Sequence, residues 1–203
     1  MTNEKLLLGV IAVFAISLVA SSSVAFASHG GTSEGWWSSP SNVEYWYDQS
    51  SLNTLSVTAS VDPDGNLEDG NQYWTGITSG SLDYDPQPVA GLEEVMYDAK
   101  SLGGNNGLTT LTKNGVTDQL YYAHVYINTD SGYNWGDKVG ADWWKWWVGD
   151  YLSVSHHENG HTIRLAHDSN AASSDLMHNG HAFGTVYRTA TVHDISEVEA
   201  KYP

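Results

Sequence analysis

Cysteine is absent from the 203 residues. That excludes disulfide cross-links and metal ligation by thiolate. Basic residues are scarce: eight Lys and Arg stand against 24 Asp and Glu, for a formal net charge of −16. Such a chain lacks the basic surface that nucleic-acid binding requires. Its acidity favours solubility and repels anionic surfaces. After Leu6–Ala20 there is no second long apolar run, so the remainder offers no membrane span. No internal repeat is visible.

The N-terminus is laid out as a secretory signal peptide over residues 1–27. Lys5 supplies the positive start, Leu6 to Ala20 the apolar stretch of 15 residues, and Ala25-Phe26-Ala27 a small-x-small cleavage site before Ser28. Secretion to the extracellular space is the expectation, or attachment to the cell surface if the segment is retained as an anchor. Residues 28–41, rich in Ser, Gly and His, read as a linker or N-terminal arm. Residues 42–203 form one domain, and the 176 residues after the signal (203 minus 27) suffice for one core.

Alternating aromatic and polar residues predict a strand at Val43–Tyr47 and a second at Leu55–Val61. Asp62-Pro63-Asp64-Gly65-Asn66 has turn chemistry. Leu92, Val95, Met96 and Ala99 are spaced for a helix within Val89–Leu102, ended by the Gly and Asn run at 103–107. Leu108–Leu111 reads as a short strand and Leu120–Asn128 as a long one. A helix follows from about Asp142 to Arg164. The last helix covers Val192–Tyr202, capped by Asp194 or the polar residues before it, with Ile195, Val198 and Tyr202 on one face. Strands with about three helices make an α+β domain.

The most informative segment is His157-Glu158-Asn159-Gly160-His161, with His167 six residues on and Met177 ten further. Residues four apart share a helix face, so His157 and His161 can hold one metal ion. Glu158 is one step round, within reach of a metal-bound water. His167 lies past the helix end and can fold back as a third ligand. Three neutral imidazoles with one open position suit a catalytic zinc.

With these residues placed, the C-terminal third resembles the metzincin metalloproteases, specifically their matrixin-like (matrix-metalloprotease-like) branch. The family pattern H-E-x-x-H-x-x-G-x-x-H is similar to His157 through His167, and Ser174-Asp175-Leu176-Met177-His178 is similar to its Met-turn. The resemblance implies a zincin with a twisted mixed sheet and an active-site helix followed by the Met-turn. It implies a secreted zinc endopeptidase acting on protein or peptide substrates as a monomer. His157, His161 and His167 would hold Zn2+, Glu158 would be the general base, and Met177 the floor beneath the metal. The strand ending at Ile127-Asn128 takes the place of the family's substrate-binding edge strand. Gly160 implies close approach of another backbone beneath the site. One departure stands out: Arg164 occupies the family's Gly position, where a positive φ costs a non-Gly residue about 1–2 kcal/mol. Either the turn takes another route, or strain is tolerated, or His167 does not ligate and Asp168 is the substitute.

Other features have two readings each. Asp62, Asp64, Asn66 and Glu68 alternate like oxygen ligands of Ca2+, or form a plain acidic turn, since the position-12 Glu of an EF-hand is missing. His156 reads as a packing or surface residue; His178 and His181 stay open. Trp143, Trp144, Trp146 and Trp147 either pack against the sheet or form a contact surface. The alternative to a protease is therefore an inactive metzincin-like extracellular module that binds through this Trp-rich surface.

Overall fold

The computed structural model describes Trp37 and residues 40–87, 94–117, 119–167 and 175–202. The expected signal peptide, most of the linker, Asp168 and Ser174 lie outside the described residues. Five strands form one sheet: β1 (Val43–Tyr47), β2 (Tyr84–Pro86), β3 (Val95–Lys100), β4 (Gly107–Lys113) and β5 (Leu120–Asn128). Their order is β2-β1-β3-β5-β4. The first four are mutually parallel, and β4 runs antiparallel to β5. Four helices accompany them among the described residues: α1 (Gln49–Leu52), α2 (Pro63–Ile77), α3 (Tyr151–Thr162) and α4 (Val192–Lys201). A small parallel pair, β6 (Trp135–Gly136) and β7 (Gly149–Asp150), leads into α3. The chain is thus α+β with a mostly parallel sheet. None of these helices is long and apolar enough to cross a membrane.

The period of two in the strands sorts side chains between the faces. Val95, Tyr97 and Ala99 of β3 and Ala123, Val125 and Ile127 of β5 are buried. On this side α2 and α3 lie against each other, and α3 also touches β4 and β5. The helix contact is unusually close at Gly70, where a Cβ would sit 2.2 Å from Asn159 Nδ2. Polar bonds fix the register. Trp74 Nε1 donates to the His156 carbonyl at 2.9 Å, and Asn159 Nδ2 donates to the Leu67 carbonyl at 3.1 Å. The Tyr97 hydroxyl, from the sheet, lies 2.5 Å from the Asn71 amide and 2.6 Å from that of Asn159.

Several expectations are corrected. Leu55–Val61 is not a strand; only Val57 makes an isolated bridge, to Trp135. Asp62–Asn66 is not a free turn but opens α2. Pro63 suits the first helical turn because its lost N–H has no partner there, and Asp64 favours the positive end of the helix dipole. Asp62, Asp64, Asn66 and Glu68 accordingly lie round the start of a helix instead of alternating along a calcium loop. Within the expected helix Val89–Leu102, residues 95–100 form β3; the rest includes 89–93, outside the described residues. Val95, Met96 and Ala99 fit a helical period, yet the alternation of Val95, Tyr97 and Ala99 fits a strand, and parallel neighbours on both sides decide for the strand. α3 starts at Tyr151, capped by Asp150, so Asp142–Val148 precedes it as turns. Finally, β5 is interior, and the edge strand beside it is β4.

The contact at Gly70 yields a prediction. Gly70→Ala should cost about 1–3 kcal/mol through overpacking against Asn159. It should lower the urea midpoint with an unchanged slope. An unaltered midpoint would mean that α2 and α3 do not meet so closely.

Candidate metal centre

α3 is buried along nearly its whole circumference, including every residue from Ser153 to Thr162. It presents His157 and His161 one turn apart. Beyond its end the chain reverses at Arg164, whose φ is +62°. The reversal is held by Arg164 N–H to the His161 carbonyl at 2.9 Å, Leu165 N–H to the Gly160 carbonyl at 3.0 Å, and Lys201 Nζ to the Arg164 carbonyl at 2.9 Å. It returns His167 to the helix. The left-handed turn is therefore made without glycine, and His167 joins the other two.

The Nε2 atoms of His157, His161 and His167 lie 2.9, 3.0 and 3.1 Å from one another. His157 Nδ1 is 2.6 Å from the Leu176 carbonyl, and His161 Nδ1 is 2.7 Å from the Leu165 carbonyl. A carbonyl only accepts, so both Nδ1 atoms carry the proton, and both Nε2 lone pairs face the common centre. Lone pairs so close repel unless a cation lies between them. A tetrahedral ion with metal–nitrogen bonds of about 2.0–2.1 Å separates its ligands by about 3.3–3.4 Å. The cluster is within a few tenths of an ångström of that spacing, so three neutral imidazoles fit a metal ion. Among the described residues this is the group whose ligand atoms converge in this way.

Burial keeps the imidazoles neutral. It pulls His157 well below its ordinary pKa, assisted by the other two rings, and takes His161 down to about 3 with help from His167. His167 is lowered by burial and then by His181 and His178. Glu158 is pushed up to about 8 by burial, against the hydrogen bond from Thr109. Thr109 Oγ1 donates to Glu158 Oε2 at 2.7 Å. A cation in the cluster would draw this carboxyl back toward the ionised form. The carboxylate is also packed over Gly107, where a Cβ would fall 2.5 Å from Glu158 Oε1. Gly107 and Thr109 belong to the edge strand β4, so one strand both borders the cleft and positions the acid.

Met177 is buried beneath α3. A Cβ at Gly160 would meet its Sδ at 2.5 Å and Trp74 Cζ2 at 3.0 Å. The small residue thus admits two side chains, not the backbone that was expected. His156 is a packing residue, stacked on Tyr73 with ring centroids 4.4 Å apart and bonded through Nδ1 to the Arg188 carbonyl. His178 and His181 line the cleft, a cavity of about 430 Å3 bounded also by His157, His161, His167 and Glu158. His181 stacks on Tyr187 with centroids 3.3 Å apart. Tyr187, Thr109 and Gly107 were not singled out from sequence. The alternation of β4 would have put Thr109 on the inner face; nothing local marks Tyr187, which is placed by its N–H bond to Ser153.

No protein-family model matches the chain, and no curated protein matches it. The chemistry is argued from the cluster itself.

Two outcomes follow. Glycine accepts φ +62° without strain but costs about 0.5–1 kcal/mol in backbone entropy. Arg164→Gly should therefore raise stability by up to about 1 kcal/mol in thermal or urea melts and leave metal binding intact. A loss of stability would show that the turn is not strained. The second concerns pH. Below the unfolded imidazole pKa of about 6.5, the unfolded chain binds protons that the folded chain refuses, so stability falls with pH until the folded pKa is reached. Glu158 acts in the opposite sense between its ordinary 4.5 and about 8. His156, His157, His161, His167 and His181 are all shifted down and outweigh it. After chelation, the urea midpoint should drop between about pH 7 and about pH 5. A midpoint that rises would mean that the rings are not held neutral.

Proposed function

We propose that this protein is an exported, zinc-dependent endopeptidase of the metzincin type, matrixin-like in its motif. The observation that carries the reading is the convergence of three Nε2 atoms, two of them with Nδ1 tied to carbonyls, beside the buried carboxylate of Glu158. His157, His161 and His167 would hold the ion. Zinc, when bound, supplies a Lewis acid and a water whose pKa is lowered to about 7. Nitrogen ligands of this kind suit zinc better than calcium or magnesium.

Glu158 accepts the proton of the attacking water and delivers it to the leaving amine as the peptide bond breaks. The Thr109 hydroxyl holds the carboxylate at one oxygen and leaves the other for that exchange. The rim of β4, from Gly107 to Lys113, offers its outer N–H and C=O groups to an extended substrate by β-augmentation. His178, His181 and Tyr187 also line the cleft. Met177 carries no chemistry and supports α3 from below. The layout of residues 1–27 supports export.

Casein hydrolysis by the purified chain tests the assignment. A chelator should abolish cleavage and zinc restore it. Glu158→Gln should keep the zinc, counted by elemental analysis, and lose activity by about 10²–10⁴-fold. Equal cleavage in every sample would remove the proposal. Zinc bound without any cleavage would point instead to a metal-stabilised binding module.

A further inference from the structure

The loop 137–148, between β6 and β7, is unlike the rest of the surface. Of ten large hydrophobic side chains exposed among the described residues, five belong to it: Val139, Trp143, Trp144, Trp146 and Trp147. Trp143 is 70% exposed and Trp146 83%. A soluble surface seldom groups such residues without a use for them.

The loop is also electrically neutral in a chain of net charge −16, with Asp137 and Asp142 against Lys138 and Lys145. Each charge is engaged at the root. Asp142 is buried and accepts from Lys145 Nζ at 2.5 Å, Thr58 Oγ1 at 2.6 Å, the Asp137 N–H at 3.0 Å, and Ser60 Oγ. Asp137 pairs with Arg188 at 2.6 Å. Lys138 Nζ donates to the Lys145 carbonyl at 2.7 Å. The polar groups brace the loop and leave indole and Val139 outside.

We propose that this loop is a wedge that docks the protein on a zwitterionic lipid surface. Indoles, with an apolar body and one N–H, favour the bilayer interface. The zero net charge of the loop lowers the cost of bringing it against headgroups, while the acidity elsewhere repels anionic lipid. Ring geometry argues against sugar as the occupant. Trp144 and Trp146 each meet Trp147 edge to face, at 83° and 89°, so the cluster is not the flat platform on which a polysaccharide chain lies. Aliphatic Val139 likewise suits acyl chains.

Quenching of tryptophan emission by vesicles of brominated phosphatidylcholine, compared with the plain lipid, tests the wedge on the full chain. Residues 1–27 contain no Trp, so the N-terminal apolar run adds no signal of its own. The wild type should be quenched by the brominated lipid. Trp143→Ser/Trp146→Ser, with its fold checked by circular dichroism, should partition about tenfold more weakly and lose most of the quenching. Mixing phosphatidylglycerol into the vesicles should weaken binding further. Absence of quenching in the wild type overturns the proposal, as does quenching equal in wild type and variant. Retention on insoluble cellulose or chitin without lipid quenching also overturns it, in favour of a glycan surface. Should the double variant fail to fold, Trp146→Ser alone makes the same comparison.

Discussion

Two backbone carbonyls set the chemistry of this molecule. Leu165 and Leu176 each take the Nδ1 proton of one helix histidine. That fixes both tautomers and rotates both rings so that Nε2 faces inward. The carbonyls come from the segments immediately after α3 and at Met177, so the ring orientations hold only while those segments stay in place. Packing at Gly160 keeps Met177 beneath the helix, and the Arg164 turn keeps Leu165 beside His161. The centre is therefore a product of chain reversals as much as of the helix that displays it.

α3 makes this possible by being an unusual helix. It has no apolar stripe, because it is buried all round and eight of its twelve residues are polar. Each buried group needs a specific partner, or the helix would lose about 1–3 kcal/mol per unsatisfied group. Most have one: Ser153 bonds to Asp150, Ser155 to the Asn66 carbonyl, Asn159 to Leu67 and Tyr97, and Thr162 to Tyr84, while the Tyr151 hydroxyl at the start of the helix is left without a partner. Such bonds work at one register only. They locate His157 and Glu158 more narrowly than apolar packing would, which suits a site where a small displacement matters.

What could be read in advance follows from the same physics. β5 was legible to its end residues because nine consecutive positions favour a strand and no helical period competes. α4 was legible from its spacing, and its cap, expected at Asp194 or the polar residues before it, is a reciprocal box of Thr191 and Asp194. The three histidines were legible from spacing. The start of α3 was not, since a helix without an amphipathic stripe has no periodic signal and the Trp run before it imitates one. α2 was hidden because Asp, Pro, Asn and Gly serve turns and helix starts alike. Strand order is not written in any local pattern, so the edge position of β4 could be seen only in the assembled sheet.

Arg164 illustrates how a local rule gives way to a tertiary one. Its φ of +62° carries a cost of about 1–2 kcal/mol for a residue with a Cβ. The turn nevertheless forms, with its carbonyl held by Lys201 from the last turn of α4 and the next residue's N–H returned to Gly160. Hydrogen bonds of about 0.5–1.5 kcal/mol each, and more where the donor is charged, are enough to offset such strain. The C-terminal helix thereby acts on the ligand cluster from a distance in sequence: α4 holds Arg164, Arg164 sets the direction of the chain, and that direction delivers His167. Arg in place of glycine at this turn is compatible with three converging imidazoles because another element of the same fold supplies the missing constraint.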